Sequence, residues 1–378
     1  MDANLAQLVD RIRAAAAAGT PLRIRGGGTK DFYGESLQGE LLDTRSLSGI
    51  SSYEPSELVV TVKAGTPLAA LEAALAEKGQ CLPFEPPHYR LVPGAGDATV
   101  GGMVAAGLSG PARATAGSVR DYVLGLSMVN GRAEHLTFGG QVMKNVAGYD
   151  VSRVMAGSLG TLGLITEVSL KVLPFAPAEA TLRFALDEGE AIRRLNTWAG
   201  DPLPLNASSW VVDGGQPVLY LRLRGAMAAV EAACQRLVRE GPGERIDSPQ
   251  TRADWDAARD LQLPWLTQGL ARGDDLWRLS VPPTTPPLGV GDTLLDWLGA
   301  QRWVFAPAGD AAAAARLRGA ATKVHGSATL FIAASADLAR AGGRFEPLTP
   351  TLDRIHRQLK QAFDPAGIFN RGRLVAGL

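Results

Sequence analysis

The stretch RIRGGGTKDFYG, from Arg23 to Gly34, sets Gly26, Gly27 and Gly28 straight after a strand-like alternation and straight before Thr29 and Lys30. Positions without a Cβ let backbone N–H groups approach an anion closely and adopt concave, anion-holding conformations. Two further clusters follow, GAGDATVGGMVAAGLSG over 94–110 and GSLGTLG over 157–163. One such cluster reads as a tight turn. Three within one region can each face a different part of one extended ligand. The common nucleotide signatures are absent. No GxxxxGK[ST] occurs, and Gly94-Ala95-Gly96 runs on into Asp97, Ala98 and Thr99 instead of opening a GxGxxG helix. A P-loop and a dinucleotide-binding Rossmann unit are therefore disfavoured, and the ligand must be held in another way.

Periodicity supplies the elements that must position these clusters. Leu5, Leu8, Val9 and Ile12 recur at helical spacing and predict a surface helix ending at Gly19. Leu58 to Gly65 reads as a strand, followed by a helix with Thr66 as N-cap, Pro67 in its first turn and Gly79 at its end. YVLGLSMVNGRAEHLTFG predicts a hairpin with its tight turn at Asn130-Gly131. GTLGLITEVSLKVLP predicts a strand stopped by Pro174. PFAPAEA, residues 174–180, then reads as a linker into a segment with fewer glycine clusters that holds all seven tryptophans, and VPPTTPPLG, residues 281–289, reads as a loop inside it. Leu352, Ile355, Leu359 and Phe363 mark a last helix that stops at FDPAGIFNRGR.

Composition limits the function classes. The chain has 378 residues, 46% hydrophobic and 20% charged, which fits an ordinary soluble protein of two or three domains. Its 38 basic and 38 acidic residues cancel, which leaves no footprint for nucleic acid or an anionic membrane. Cys81 and Cys234 share no CxxC spacing, so neither a disulfide framework nor a zinc ribbon is expected, and a reducing cytoplasm fits. The N-terminus has no basic region leading into an apolar core, and no run of about 18 apolar residues is present, so neither a secretory signal nor a membrane span is expected.

RIRGGGT, ATVGGMVAAGLSGP, GSVRDYVLGLSMVNG, KNVAGYDVSRVMAGSLGTLGLITEVSLKV and the terminal FDPAGIFNRGRL together resemble, in order and spacing, the FAD-binding fold of the vanillyl-alcohol oxidase and p-cresol methylhydroxylase (PCMH) family. The resemblance covers residues 1–173 and the tail. LWRLSVPP, QRWVFAPAGD and VHGSATLF further resemble the smaller flavin subunits of bacterial glycolate oxidase complexes. The fold so implied is α+β. It comprises a two-subdomain PCMH-type FAD-binding domain over 1–173, an inserted α+β cap over 176–347 for substrate or interface, and a C-terminal segment, 348–378, returning to the flavin. The resemblance makes RGGGTK the pyrophosphate loop, with backbone donors from Gly26, Gly27, Gly28 and Thr29 between Arg25 and Lys30. It brings Thr99, Gly101 and Gly102 to the flavin side, where a helix N-terminus favours negative charge. Gly94, Asp97, Gly107, Gly110, Gly117, Asp121, Gly160, Thr161, Gly163, Ile165 and Asn370 complete the cofactor-binding set that it implies.

Some members of the family attach flavin through histidine or cysteine. Here Thr29 and Lys30 stand nearest the pyrophosphate loop, neither is suited, and His88 reads as a loop residue, so non-covalent FAD is expected. Active 2-hydroxyacid dehydrogenases of this fold often carry a histidine-rich metal cluster in the cap; this chain has only His88, His135, His325 and His356, with no HxH, and no metal site is expected. Oxidising a hydroxy acid needs a cation for the carboxylate and a base for the hydroxyl proton. Arg278 and Arg302 are the candidate clamps and His325 the candidate base. Each has a plainer reading: an ion pair for the arginines, a hydrogen-bonded structural role for the histidine. Trp255, Trp265, Trp277, Trp297 and Trp303 suggest a packed cap or a subunit interface. The reading that results is an FAD-binding subunit of a glycolate oxidase or dehydrogenase complex, accessory or electron-transferring. Its expected partners are a larger flavin subunit, an iron–sulfur subunit and a small 2-hydroxy acid. The expected location is cytoplasmic, any membrane association coming through the complex. A self-sufficient FAD-dependent 2-hydroxyacid dehydrogenase and a non-catalytic FAD-binding scaffold are the alternatives.

Overall fold

The computed structural model describes residues 2–140, 149–246, 249–335 and 343–378. The chain divides into two units, one made of Met1–Leu108, Ser118–Pro174 and Pro347–Leu378, the other of Ser109–Gly117 and Phe175–Glu346.

In the first unit, helix α1 (Ala3–Ala18) buries Leu8, Val9, Ile12 and Ala15 and ends at Gly19, whose φ of 67° is the left-handed cap that glycine adopts without strain. Strands β1 (Leu22–Arg25) and β2 (Glu40–Asp43) pair in parallel. Strands β3 (Ile50–Glu54) and β4 (Val59–Lys63) open the main sheet, and helix α2 (Leu68–Ala76) follows. The expected cap at Thr66 is corrected: Pro67 takes the N-cap position, and the Thr66 hydroxyl accepts from Gly49 N at 2.9 Å. A short strand β5 (Gln80–Cys81) and helix α3 (Val100–Ala106) come next. Helix α4 (Arg113–Ala116) lies in the stretch assigned to the second unit. Helix α5 (Val119–Tyr122), strands β6 (Val123–Val129) and β7 (His135–Gly139), helix α6 (Val151–Met155) and strands β8 (Leu164–Lys171) and β9 (Leu173–Pro174) complete this part. The main sheet has the order β3-β4-β8-β6-β7, and its pairings are antiparallel.

The β6–β7 hairpin forms, but not with the expected tight turn. Its loop runs from Asn130 to Glu134, with the positive φ at Ala133 (60°). The Asn130 side chain accepts from Arg132 N and Glu134 N, which organises a longer loop. Gly131 is needed for a different reason: a Cβ there would stand 2.7 Å from Asp364 Cα, and its N–H donates to Phe363 O.

The second unit is built on one eight-stranded sheet. Strand β10 (Ala178–Ala185), helix α7 (Glu188–Ala199), strands β11 (Leu205–Asp213) and β12 (Gln216–Gly225), helix α8 (Met227–Glu240) and strand β13 (Gly243–Ile246) form its first half. Helices α9 (Gln250–Arg259) and α10 (Pro264–Ala271) lead to strands β14 (Asp275–Ser280), β15 (Thr293–Asp296) and β16 (Gln301–Ala306), helix α11 (Ala311–Thr322) and strand β17 (Ser327–Ile332). The order is β13-β10-β12-β11-β15-β16-β14-β17, with antiparallel pairings. Amphipathic α7 and α8 bury Ile192, Leu195, Trp198, Val230 and Leu237 against Leu182, Phe184, Leu219 and Leu221 of the sheet.

Helix α12 (Pro350–Phe363) then belongs to the first unit. Past its end Leu22 N donates to Ile368 O and Asn370 N to Leu22 O, so the tail lies alongside β1. Half of the apolar stripe of α12 faces solvent, with Leu352 and Ile355 at 47% and 42% exposure.

Candidate functional site

The glycine loop is shaped by its contacts with the loop before α3. A Cβ on Gly27 would fall 1.7 Å from the carbonyl oxygen of Asp97, and one on Gly26 would fall 2.2 Å from Thr99 Oγ1. Gly96 N donates to Gly27 O at 2.8 Å, which locks the two loops together. Gly28 has a φ of 78° and lies against the Arg25 guanidinium, which pairs with Asp31 at 2.7 Å and closes the turn. The N–H groups of Gly26, Gly27, Gly28 and Thr29 donate to nothing among the described residues. Four successive unpartnered backbone donors form a concavity suited to an anion. They line an open cleft of about 90 Å³, with Lys30, Thr99, Gly102, Ala105, Leu159 and Asn370 among its other walls.

Residues distant in sequence hold this loop open. Asn370, with a φ of 38°, accepts from Ile24 N at 2.8 Å and donates to Leu159 O at 2.6 Å. Arg373, which lines the cleft and is almost wholly buried, donates to Lys30 O, Asp31 O and Glu35 O. Its contribution, like those of Asp31 and Leu159, escaped the sequence reading; the basic residues of the FNRGRL tail were the available signal. The tail is itself fastened by Lys360, whose Nζ donates to Thr161 O at 2.7 Å and Phe369 O at 2.8 Å and pairs with Asp364 at 2.8 Å. Burial lowers the Lys360 pKa, an effect that Asp364 opposes. Asp364 also accepts from Ile368 N and Phe369 N, so this buried pair is hydrogen-bonded on several sides.

Of the residues singled out from sequence, Arg25, Gly26, Gly27, Gly28, Thr29, Lys30, Thr99, Gly102 and Asn370 line the one cleft. The others stand elsewhere. Gly101 N donates to Ala64 O, and its missing side chain lets α3 pack on Ala64, 2.6 Å from where a Cβ would be. Gly102 N has Thr99 Oγ1 as its partner at 3.3 Å, so the start of α3 is capped by the protein's own groups. Gly94 has open space around it and a φ of 71°. Asp97 contributes its carbonyl to the Gly27 contact. Gly107 caps α3 and packs on Gly157. Asp121 forms a capping box with Ser118. Gly160 packs beside the Asn370 amide, Thr161 Oγ1 donates to Ser158 O, Gly163 packs against Met128 and Val129, and Ile165 is buried in β8. Gly110 and Gly117 fall in the second unit, where Gly110 O accepts from Trp297 Nε1 at 2.9 Å and Gly117 ends α4. The KNVAG part of the quoted motif lies outside the described residues.

The catalytic candidates Arg278, Arg302 and His325 all lie in the second unit. Arg302 is fully buried, and its guanidinium donates to Gly299 O, Pro286 O and Thr285 O. Glu188 lies 3.8 Å away, and burial raises its carboxyl pKa. The arginine therefore pins the Pro-rich 281–289 loop and presents nothing to a substrate carboxylate. His325 is exposed, at φ 60°, in the turn that ends α11. Arg278 lies over the Phe331 ring at 5.0 Å. His88 pairs with Glu72 at 2.8 Å. The second unit also holds a carboxyl that the sequence reading missed. Asp296 is half-buried, and burial pushes its pKa up to about 6 against the donors Trp303 Nε1 at 2.9 Å, Ser209 and Gln301.

Comparison with known proteins gives this geometry its class. Residues 3–139 match the family described as FAD binding domain. The solved structure of alkyldihydroxyacetonephosphate synthase superposes over 97% of this chain and 75% of its own, with a TM-score of 0.68 at 15% identity, and so shares the fold. Fold and site thus define an FAD-binding protein of the vanillyl-alcohol oxidase and PCMH type, and FAD is its cofactor. Glycolate oxidase subunit GlcD of Bacillus subtilis is 31% identical over 164 residues, which is 43% of this chain and 34% of that protein. Glycolate oxidase subunit GlcE of Escherichia coli K12 is 42% identical over 372 residues, 98% of this chain and 97% of that protein. Within its class, the chain belongs to the family of glycolate oxidase subunit GlcE.

Proposed function

We propose that this chain is the FAD-binding subunit of a complex that oxidises glycolate to glyoxylate. In this reading it works beside a larger flavin subunit and an iron–sulfur subunit in the cytoplasm, and its role is accessory or electron-transferring. One observation carries the reading: the row of N–H donors at Gly26, Gly27, Gly28 and Thr29 without a partner among the described residues, in a chain similar to GlcE over 98% of its length. These four donors would hold the FAD diphosphate, with the small residues Gly102 and Ala105 leaving room beside it. When bound, FAD supplies the capacity to accept and pass on two electrons. The chain's own residues do the holding. Asn370, Arg373 and Lys360 brace the loops that form the cleft, and neither histidine nor cysteine lines it among the described residues, which supports non-covalent attachment.

The accessory role is favoured by the state of the expected catalytic groups. Arg302 is committed to backbone carbonyls and His325 is exposed at a helix end, so neither is placed as clamp or base. General acid–base help is typically worth about 10²–10⁴-fold. The isolated holo-protein, titrated anaerobically with glycolate and with D-lactate, should keep its oxidised flavin band. Rapid bleaching would establish a self-sufficient dehydrogenase instead. Purified from native cells, the chain should bring the larger flavin subunit and the iron–sulfur subunit with it; recovery as a lone polypeptide would overturn the assembly.

A further inference from the structure

The second unit contains a cleft that the flavin reading leaves without a task. It lies between one face of the sheet and helices α9 and α10 and has a volume of about 330 Å³. Tyr220, Trp255 and Trp265 supply aromatic surface, and Val211, Leu263 and Leu294 supply aliphatic surface. Its charged lining residues are both acidic, Asp213 and Asp254; no lysine, arginine or histidine lines it among the described residues. Asp213 and Asp254 are exposed, whereas Tyr220 is half-buried between them and the interior. Burial, then the Asp213 hydrogen bond at 2.6 Å and the charges of Asp213 and Asp254, push the Tyr220 hydroxyl up to about 12, against an opposing effect of Arg183. At the floor, Ser209 is only 4% exposed and stands cross-strand from Asp296, toward whose carboxyl its hydroxyl is directed.

The cations nearby are engaged elsewhere. Arg183 pairs with Glu244 at 3.2 Å. Arg222 stacks on Trp255 at 4.8 Å and donates to Asn206 at 2.6 Å, and it does not line the cleft. A small hydroxy-acid anion entering this space would meet two carboxylates and no counter-charge, so the cleft is unsuited to the substrate class named above. Aromatic walls with carboxylates at the mouth suit the opposite charge.

We infer that this cleft binds a small organic cation, a primary ammonium or guanidinium carried on an apolar body. The charged head would lie between Asp213 and Asp254 and the body against Tyr220, Trp255 and Trp265. This inference is independent of the flavin chemistry and stands or falls without it.

Calorimetric titration of the FAD-loaded protein with three probes that share a phenylethyl body tests it: 2-phenylethylammonium, 2-phenylethanol and 3-phenylpropionate. The ammonium should bind about tenfold or more tighter than the alcohol, and the carboxylate should not bind. The double variant Asp213→Asn, Asp254→Asn keeps a hydrogen-bond acceptor for Tyr220 and should erase the preference for the ammonium while leaving binding of the alcohol. Val211→Trp should fill the cleft and abolish binding of both. Equal affinity for ammonium and alcohol, binding of the carboxylate, a preference that survives the double variant, or no binding of the ammonium at all would each overturn the inference.

Discussion

At the scale of single residues, three glycines of the first unit do different work. A Cβ at Gly27 meets the backbone carbonyl of Asp97, which no side-chain rotation can move aside, whereas one at Gly102 meets only Thr99 Oγ1 at 3.1 Å and borders the cleft. Gly27→Ala should therefore lower both thermal stability and FAD affinity. Gly102→Val should keep the fold and weaken FAD binding by about 10- to 100-fold, the range expected for roughly 1–3 kcal/mol of overpacking. Gly19→Val, in the left-handed cap of α1 with nothing within 4 Å, should cost about 1–2 kcal/mol of stability and leave flavin affinity unchanged. Flavin titration paired with thermal melts separates the three. Asp296 makes a prediction in pH. Its folded pKa of about 6 lies above the 3.8 usual for an aspartate, so the folded state holds the proton more tightly and its stabilising contribution is present at low pH. That contribution is lost as pH rises through the folded value, by about 3 kcal/mol for a shift of roughly two pKa steps. Asp296→Asn should gain on wild type by this amount between about pH 3.5 and pH 7. Urea unfolding followed by tryptophan fluorescence reads it, because all seven tryptophans lie in the second unit. A pH-independent difference between the two proteins would show that this carboxyl does not titrate there.

At the scale of elements, the last helix is held by polar residues as well as by part of its apolar stripe. In α12, Leu352 and Ile355 face solvent and Leu359 and Phe363 pack on the core, while Lys360 and the C-cap Asp364 form a pair tied into the interior. Lys360 reaches Thr161 O and Phe369 O, and so links the glycine loop after α6 to the tail that carries Asn370. Lys360→Met fits the space but leaves the Asp364 carboxylate buried without its cation, which should cost about 3–5 kcal/mol. FAD affinity should fall with it, since Asn370 would lose its register beside Ile24 and Leu159. Chemical denaturation in the presence and absence of FAD measures both effects; a variant as stable as wild type would mean that the tail is held by its apolar contacts alone. Periodicity located this helix correctly because spacing is a local property. Which face would be covered depended on what the rest of the chain placed beside it.

For the whole molecule, the cleft offers backbone donors and small residues, and neither histidine nor cysteine lines it among the described residues. Acid precipitation of the holo-protein should leave the flavin absorbance in the supernatant; colour retained in the pellet would show a covalent link. Much of this was legible in the residues alone. The glycine clusters, the ends of α1 and the sequence of short strands and helices depend on local conformational preference, and nearby residues settle those. The absence of known nucleotide motifs likewise directed attention to another mode of holding FAD. Tertiary structure decided what each cluster is for. Gly101 and Gly131 are glycines because other segments pass within van der Waals distance of them, and Arg302 became a brace because the loop at 281–289 folds over it. Arg373 reaches the glycine loop from 343 residues along the chain and Lys360 reaches Thr161 from 199, which no local pattern encodes. Four unpartnered N–H groups at Gly26 to Thr29 could be recognised only once every other backbone partner had been placed, because an unmet hydrogen bond is a property of the folded surroundings and not of the residue that carries it.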